Sequence, residues 1–171
     1  GFVADTGAVF ADRANGFSYG WDADASAGAR DRNAPNIPQQ SDTLIHTQLF
    51  GTRTWEAAVP NGQYDVHLVA GDPSYINSVY KFNVEGALTV NGTPTNTNRF
   101  VDGVTRVGIA DGRLTISNAS GASNNKICFV EIDAAESQAF DAKINFQPAG
   151  AALPAGYLAD TGLAFGNRSN G

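Results

Sequence analysis

Runs in which apolar and polar residues alternate dominate the chain between residues 54 and 132. The clearest run is residues 64–70, Tyr-Asp-Val-His-Leu-Val-Ala. Because successive side chains of a strand point to opposite faces, its apolar side chains are expected to face a core, which leaves Asp65 and His67 on the other face. The pattern predicts β-strands, and it favours a solvated His67 over a catalytic one.

Turn signals containing glycine separate these runs, and the dipeptides Asn-Gly and Asp-Gly are typical of two-residue hairpin turns. Five or more short strands with close turns indicate an all-β protein folded as an antiparallel β-sandwich of the jelly-roll type. The expected hairpins join residues 55–59 to 64–70 across Asn61-Gly62, residues 79–84 to 88–90 across Glu85-Gly86, and residues 100–109 to 113–117 across Asp111-Gly112.

The first sixteen residues return near the end of the chain, because residues 1–16 and 156–171 are identical at nine of sixteen positions. Their spacing is about the size of one domain, so we expect a little more than one period of a tandem array. The predicted divisions are a β-sandwich module at residues 1–133 that lacks its first strand, a connector at residues 134–142, and the start of the next repeat at residues 143–171.

The segment Ile144-Asn145-Phe146 precedes the second copy and has no counterpart before the first. A module without its first strand has an open sheet edge, which is an aggregation liability. We therefore expect Ile144, Asn145 and Phe146 to supply the opening strand of the sandwich, either by folding back within the chain or by inserting into a neighbouring copy. The alternative is that the segment is a loose tail.

Composition narrows the classes of function. The 171 residues include 42% apolar and 16% charged residues, 19 glycines and no methionine, which suits a strand-and-turn protein. The net charge of −6 argues against nucleic-acid binding, which needs a basic face, and no run is apolar enough to insert into a membrane. The single cysteine, Cys128, excludes an intrachain disulfide and a cysteine-rich metal site, and we expect it to be buried.

Residues 15–21, Asn-Gly-Phe-Ser-Tyr-Gly-Trp, form the densest aromatic cluster. Its glycines allow sharp turns, so Tyr19 and Trp21 could form a flat face on which a sugar ring stacks. The alternative is that the aromatic side chains alternate into the sandwich core as an ordinary strand. The pattern leaves both interpretations open.

Residues 22–48 have little apolar periodicity and form a long polar stretch. A loop of this length in a compact domain is usually functional or disordered. The planar groups of its arginines and the carboxylates beside them match the vicinal hydroxyls of a sugar, although the same side chains could instead pair with one another to hold the loop. The candidate residues here are Arg30, Asp31, Arg32 and Asp42.

Two further loops lie at predicted strand ends. Asp72 and Tyr75 follow the strand at residues 64–70 and are candidate ligand contacts, with a turn-capping Asp72 as the alternative. Asn124 and Asn125 stand with Lys126 at the entrance of the last strand, where a ligand could be held.

These segments together resemble the malectin-like and galactose-binding-like carbohydrate-binding modules of bacterial secreted repeat proteins and polysaccharide-degrading enzymes. The similarity spans nearly the whole chain, in permuted order. The motifs that carry it are Ile-Asn-Phe-Gln-Pro at residues 144–148, the aromatic segment at residues 15–21, Val-Pro-Asn-Gly-x-Tyr at residues 59–64 with Gly-Asp-Pro at residues 71–73, and Asn-Lys-Ile-Cys-Phe-Val-Glu-Ile at residues 125–132.

The resemblance implies a two-sheet jelly roll that binds carbohydrate through loops at one end or through one sheet face. It places the aromatic platform at Tyr19, Trp21 or Tyr75, and polar contacts in the loop between residues 31 and 42 and at residues 124–125. It also implies a structural calcium ion, held by oxygen ligands, and an extracellular or cell-surface location in a bacterium. The candidate calcium ligands are Asp5, Asp12 and Glu131.

Catalysis is not expected, because the sequence has no Gly-x-Ser-x-Gly elbow, no His-Glu-x-x-His motif and no phosphate loop. Two hypotheses of different classes follow. The chain is either a carbohydrate-binding module whose repetition multiplies weak sites, or a structural repeat of an extracellular fibre, adhesin or surface layer assembled by strand donation between modules. The expected partners are accordingly a polysaccharide and neighbouring repeats.

Overall fold

The computed structural model describes residues 1–135, 142–164 and 166. The chain divides into two compact units, Gly1–Glu136 and Ser137–Gly171. No described helix is long and apolar enough to cross a lipid bilayer.

In chain order the elements are β1 (Ala11–Asp12), β2 (Ser18–Trp21), a 3-10 turn (Ser26–Gly28), β3 (Ala29–Asp31), α1 (Gln39–Asp42), β4 (Thr43–His46), β5 (Trp55–Ala58), β6 (Gly62–Gly71), β7 (Tyr80–Val84), β8 (Ala87–Gly92), β9 (Phe100–Ile109), β10 (Arg113–Asn118), β11 (Lys126–Ala134), β12 (Ile144–Phe146) and β13 (Leu158–Asp160).

The first unit is a sandwich of two sheets. The six-stranded sheet has the order β1-β2-β5-β10-β7-β8, and the five-stranded sheet has the order β3-β4-β11-β6-β9. Neighbouring named strands in both sheets are antiparallel. Apolar side chains from the inner faces of both sheets form one core cluster. The predicted all-β antiparallel sandwich is therefore confirmed.

The alternation in β6 has the predicted faces. Val66 and Leu68 are fully buried, and Tyr64 and Ala70 are buried beside them. On the opposite face, Asp65 accepts two hydrogen bonds from Arg106 of the neighbouring strand β9. The period-two pattern in the sequence thus corresponds to the inner and outer faces of the five-stranded sheet.

Two of the three predicted hairpins are wrong, because β5 and β10 lie in one sheet while β6 and β9 lie in the other. A tight Asn-Gly hairpin needs positive φ at both residues, and neither Asn61 nor Gly62 has it. Asn61 instead accepts a hydrogen bond from Gly112 N at 2.8 Å and donates one to Ala110 O at 2.9 Å. The two turns support each other as corners where the chain crosses between the sheets.

The predicted hairpin across Glu85-Gly86 is confirmed. β7 and β8 pair directly, with Val84 opposite Ala87. Glu85 and Gly86 both have positive φ, at 49° and 77°, as a two-residue turn of this kind requires. The Glu85 carboxylate also accepts a hydrogen bond from Thr115 N at 2.6 Å, which ties the turn to β10.

In the second unit, β12 pairs with β13 in parallel, and Ile144 lies opposite Leu158. The two copies of the repeated segment share a local turn, since Gly7 N donates to Asp5 Oδ1 at 2.7 Å and Gly162 N donates to Asp160 Oδ1 at 2.8 Å. The use of Ile144, Asn145 and Phe146 as the opening strand of the sandwich stays a prediction. Parts of the predicted connector and second copy, residues 136–141, 165 and 167–171, lie outside the described residues.

Candidate functional site

The aromatic segment packs inward. Tyr19 is 7% exposed and Trp21 is 3% exposed, and both belong to the core cluster. Tyr19 Oη donates to Ala4 O at 2.8 Å, and Trp21 Nε1 donates to Asp5 Oδ1 at 3.1 Å. These buried rings cannot stack on a sugar, which corrects their assignment to an exposed platform. The physical reason is that β2 is a paired strand whose side chains fill the sandwich.

Most of the polar residues predicted in the long loop hold the loop itself. Arg30 donates from Nη1 to the carbonyl oxygens of Ala27 and Ala29. The hydrogen bond from Asn33 N is the main cause that lowers the pKa of Asp31, which also accepts one from Gln39 Nε2. Buried Asp42 accepts a hydrogen bond from Ala34 N at 2.9 Å. Arg30, Asp31 and Asp42 therefore hold this stretch, as the alternative interpretation expected, but their hydrogen bonds are mainly to backbone groups and not to one another.

Asn125 also has a structural environment rather than a ligand-facing one. Its side chain is fully buried, accepts a hydrogen bond from Lys81 N at 3.1 Å and donates to Lys81 O at 2.7 Å. It donates a further hydrogen bond to Asn118 Oδ1 at 2.8 Å. The Asn125 amide thus satisfies the backbone N–H and C=O of Lys81 in β7, as a neighbouring strand would. This structural role corrects its assignment as a sugar contact.

The remaining predicted binding residues meet at the end of the five-stranded sheet, where β4 and β6 end and β11 begins. Arg32, Tyr75 and Asn124 line a cleft of about 260 Å³. Asp72 is fully buried behind it and accepts a hydrogen bond from Ser74 N at 2.9 Å, so it caps the turn, as the alternative expected, and is not itself a ligand contact. The cleft is also lined by three residues from neighbouring segments, namely His46, Asn77 and Lys126. We call this the Arg32–Lys126 cleft.

A buried ion triad forms the floor of the cleft. Arg32 donates to Asp72 from both Nε and Nη2, at 3.1 and 2.7 Å. Lys126 Nζ lies 3.3 Å from Asp72 Oδ2 and donates to Ser78 Oγ at 3.1 Å. The side chains of Asp72 and Lys126 are 0% and 1% exposed, whereas that of Arg32 is 17% exposed.

The charges of the triad depend on one another. Burial would raise the pKa of Asp72, but the hydrogen bonds from Arg32 and Ser74 and the charge of Lys126 outweigh it, so this pKa lies below its usual value. Burial lowers the pKa of Lys126, and Asp72 opposes that change. The carboxylate is therefore what allows the ammonium group to lie in the protein interior.

The rim of the cleft combines an aromatic ring with amide groups. Tyr75 is 52% exposed, and the Arg32 guanidinium carbon lies 4.9 Å from its ring centroid. Asn124, which has a positive φ of 53°, donates from Nδ2 to Asn77 Oδ1 at 3.0 Å. A half-exposed ring beside a guanidinium and two amides can stack on one face of a ligand and hydrogen-bond its polar edge.

His46 contributes an uncharged wall to the cleft. Its burial, followed by the charges of Lys126, Arg30 and Arg32, lowers its pKa to about 4. The ring is therefore neutral at neutral pH. Neither His46 nor Asn77 was among the predicted binding residues, because nothing in the local sequence separates them from polar neighbours such as Thr47 and Ser78.

The three predicted calcium ligands have other partners. Asp5 accepts hydrogen bonds from Trp21 and Trp55, Asp12 accepts one from Ala14 N, and Glu131 lies 2.8 Å from His67 Nδ1. Within the described part of the chain, no group of three or more His, Cys, Asp or Glu side chains could hold a metal ion. A calcium site stays a prediction.

His67 is on the outer face, as expected, but it is only partly solvated. Its Nε2 lies 3.2 Å from Asp102 Oδ2, in addition to the contact with Glu131. The hydrogen bond to Glu131, helped by the one to Asp102, raises the pKa of His67 against the opposing effect of partial burial. The residue therefore has a structural role as a bridge across β11, β6 and β9.

No family model and no curated protein matches the chain. Among solved structures, protein YXIM from Bacillus subtilis is similar with a TM-score of 0.49 and 19% identity, over 79% of this chain and 36% of that chain. A calcium binding mutant of Bacteroides uniformis beta-glucuronidase 2 is similar with a TM-score of 0.43 and 13% identity, over 72% of this chain and 15% of that chain. A second structure of Bacteroides uniformis beta-glucuronidase has a TM-score of 0.41 and 12% identity. These likenesses leave the family of the chain open.

Proposed function

We propose that the chain is a non-catalytic carbohydrate-binding module of the malectin-like or galactose-binding-like type, and that the Arg32–Lys126 cleft holds the sugar. The observation that carries this proposal is the position of Tyr75, a half-exposed ring at the mouth of a cleft. The ring offers a surface for the C–H groups of a sugar, and the Asn77 and Asn124 amides, which line the same cleft, can hydrogen-bond its hydroxyls.

The absence of catalysis is part of the proposal. A glycosidase needs a pair of carboxyl groups that flank the scissile bond. Among the described residues that line the cleft none carries a carboxyl group, and Asp72 behind them is fully buried in its ion triad. The arrangement is suited to holding a ligand and not to protonating one.

The wider setting of the module is also a proposal. The repeated segment at residues 1–16 and 156–171 favours a protein with several modules, in which weak sites gain avidity by repetition. A secreted bacterial protein as its setting is proposed from the resemblance alone. A structural calcium ion remains part of this proposal through the resemblance alone.

Replacing Tyr75 by alanine is expected to lower affinity for a bound glycan by at least about tenfold, because it removes the stacking surface. A glycan array would identify the ligand for the wild-type chain, and calorimetry would compare the variants. Tyr157→Ala is the matched control, since Tyr157 is 41% exposed and is not among the described residues that line the cleft. Equal losses in both variants, or no retained glycan for the wild type, would contradict a carbohydrate site at Tyr75.

A second candidate function, a structural repeat assembled by strand donation, is favoured by the pairing in the second unit. β12 pairs with β13, whereas residues 3–5, which correspond to β13 in the first copy, are not part of a strand. Val3, in this segment, and the adjacent Phe2 are 52% and 53% exposed. A segment equivalent to β12 from another chain could therefore pair with residues 3–5 in the register of Ile144 and Leu158.

Under this second candidate the chain is expected to form oligomers whose mass rises with concentration in light scattering. Asn145→Pro should abolish them, because proline removes a backbone donor from β12. Asn145→Gln keeps that donor and serves as the control. A chain that stays monomeric at every concentration would exclude donation between copies.

A further inference from the structure

The surface of the Arg32–Lys126 cleft has an excess of positive charge. Arg32 and Lys126 both line it, and none of the described lining residues is acidic. Asp72 balances one of the two cations, and its side chain is 0% exposed. His46 is neutral, so it neither adds to nor cancels the remaining charge. A ligand entering the cleft meets one uncompensated positive charge.

This excess contrasts with the chain as a whole, whose formal net charge is −6. Charges more than about 10 Å away are largely screened at physiological salt, so a ligand in the cleft responds mainly to the local groups. The low pKa of His46 is in keeping with a locally positive environment, because after burial its causes are the charges of Lys126, Arg30 and Arg32.

Hydrogen-bond donors accompany this charge. Arg32 uses Nε and Nη2 for Asp72, and its Nη1 donates to no described residue. Asn77 accepts hydrogen bonds through Oδ1 from Asn124 and Lys126, and its Nδ2 likewise donates to no residue in the described ranges. The cleft therefore presents two N–H donors, Arg32 Nη1 and Asn77 Nδ2, near the Lys126 charge. This arrangement suits an anionic acceptor.

The ring of Tyr75 limits the kind of anion. The Arg32 guanidinium carbon lies over one side of this ring, 4.9 Å from its centroid, and the 52% exposure of Tyr75 leaves further ring surface open to a ligand. A free inorganic anion would leave this face unused. A ring-shaped ligand with an acidic substituent would use both the face and the donors.

Building on the proposed carbohydrate function, we propose that the Arg32–Lys126 cleft selects an acidic sugar, a uronic acid unit whose ring stacks on Tyr75 and whose carboxylate accepts hydrogen bonds from Arg32 and Asn77. Lys126 stabilises that carboxylate from the floor of the cleft through its charge. The triad has two positive charges, on Arg32 and Lys126, and one negative charge, on Asp72. The carboxylate of the sugar supplies the second negative charge.

The test compares pairs of oligosaccharides that differ only in the acid group. Oligomers of glucuronate, galacturonate, mannuronate and guluronate are measured beside their carboxyl-reduced neutral forms, by calorimetry at low and high salt. Carboxylate hydrogen bonds to charged donors predict affinity roughly ten- to hundredfold higher for one of the acidic forms, falling as salt rises.

The variant Arg32→Gln is expected to remove most of this preference, because it should lower affinity for the acidic form much more than affinity for the matching neutral form. Arg30→Gln is the matched control, because Arg30 lies two residues before Arg32, in β3, and donates to the backbone carbonyls of Ala27 and Ala29. If Arg32→Gln does not fold, as judged by circular dichroism, the wild-type comparison of acidic and neutral forms still decides the proposal.

The remaining outcomes separate this inference from the proposed function. Equal affinity for both members of every pair, or tighter binding of a sulfated sugar than of every uronate, would overturn the uronate assignment and leave carbohydrate binding intact. Failure to bind any sugar in the panel or on the glycan array would overturn both.

Discussion

Asp72→Asn is expected to lower the free energy of unfolding by about 3–5 kcal/mol, because it removes the only carboxylate of a buried ion triad. The variant leaves Arg32 and the 1%-exposed Lys126 side by side without a counter-charge. It also weakens the link between the loop after β3 and the loop after β6. Urea unfolding followed by tryptophan fluorescence would measure the loss.

Asp65→Asn is the matched control for this variant. Asp65 also accepts two hydrogen bonds from an arginine, Arg106, but the two side chains are 40% and 58% exposed. An exposed ion pair of this kind contributes less than about 1 kcal/mol. If Asp72→Asn lowers the free energy of unfolding no more than Asp65→Asn does, the triad does not stabilise the fold. That result would also contradict the view that Asp72 balances a buried positive charge in the cleft.

The effect of Asp72→Asn on stability is expected to depend on pH. Asp72 has a pKa below its ordinary value of 3.8 in the folded chain, so its contribution to stability is fully present above that value. The contribution is lost as pH falls through the lower, folded-state pKa. The stability difference between wild type and Asp72→Asn should therefore be constant near neutral pH and shrink in acid below pH 3.8.

Strand faces could be predicted from the sequence, but strand partners could not. The alternation at residues 64–70 specified which side chains of β6 face the core, because burial on a pleated strand has a period of two. The pairing of β5 with β6 was wrong because Asn61-Gly62 favours a hairpin only when both residues adopt positive φ. In the sandwich, the Asn61 side chain donates to Ala110 O and accepts from Gly112 N of the neighbouring corner, and these hydrogen bonds fix another conformation.

Part of the candidate site could be predicted from the sequence, namely the polar and aromatic residues that stand in loops at the ends of predicted strands. Asp72, Tyr75 and Asn124 stand next to strand ends, and loops at strand ends gather at one edge of a sheet. Tyr19 and Trp21 have the spacing of a strand as well as that of an aromatic platform, and only their burial in three dimensions decides between the two. His46 and Asn77 could not be predicted, because long-range contacts between separate segments bring them to the cleft and no local sequence pattern indicates such contacts.

Asp5→Ala is expected to lower the free energy of unfolding by about 3 kcal/mol, because it leaves buried donors without acceptors. Asp5 Oδ2 accepts a hydrogen bond from Trp55 Nε1 at 2.7 Å, and Oδ1 accepts one from Trp21 Nε1 at 3.1 Å. These two residues, 8% and 3% exposed, are the only tryptophans of the chain, so fluorescence reports directly on the site of the change. Asp5→Asn keeps one acceptor oxygen and should lose less.

The repeated segment supplies a control for that variant at Asp160, which occupies the position of Asp5 in the second copy. Both carboxylates accept a hydrogen bond from the glycine two residues later, but Asp5 alone of the two is bonded to the indoles. Asp160→Ala should therefore leave the unfolding of the sandwich unchanged. Equal losses would mean that the local turn, and not the clamp on the two indoles, is what Asp5 contributes. A large loss at Asp5 alone would give the repetition of this segment a physical reason, because each module would need its own copy to hold its tryptophan pair.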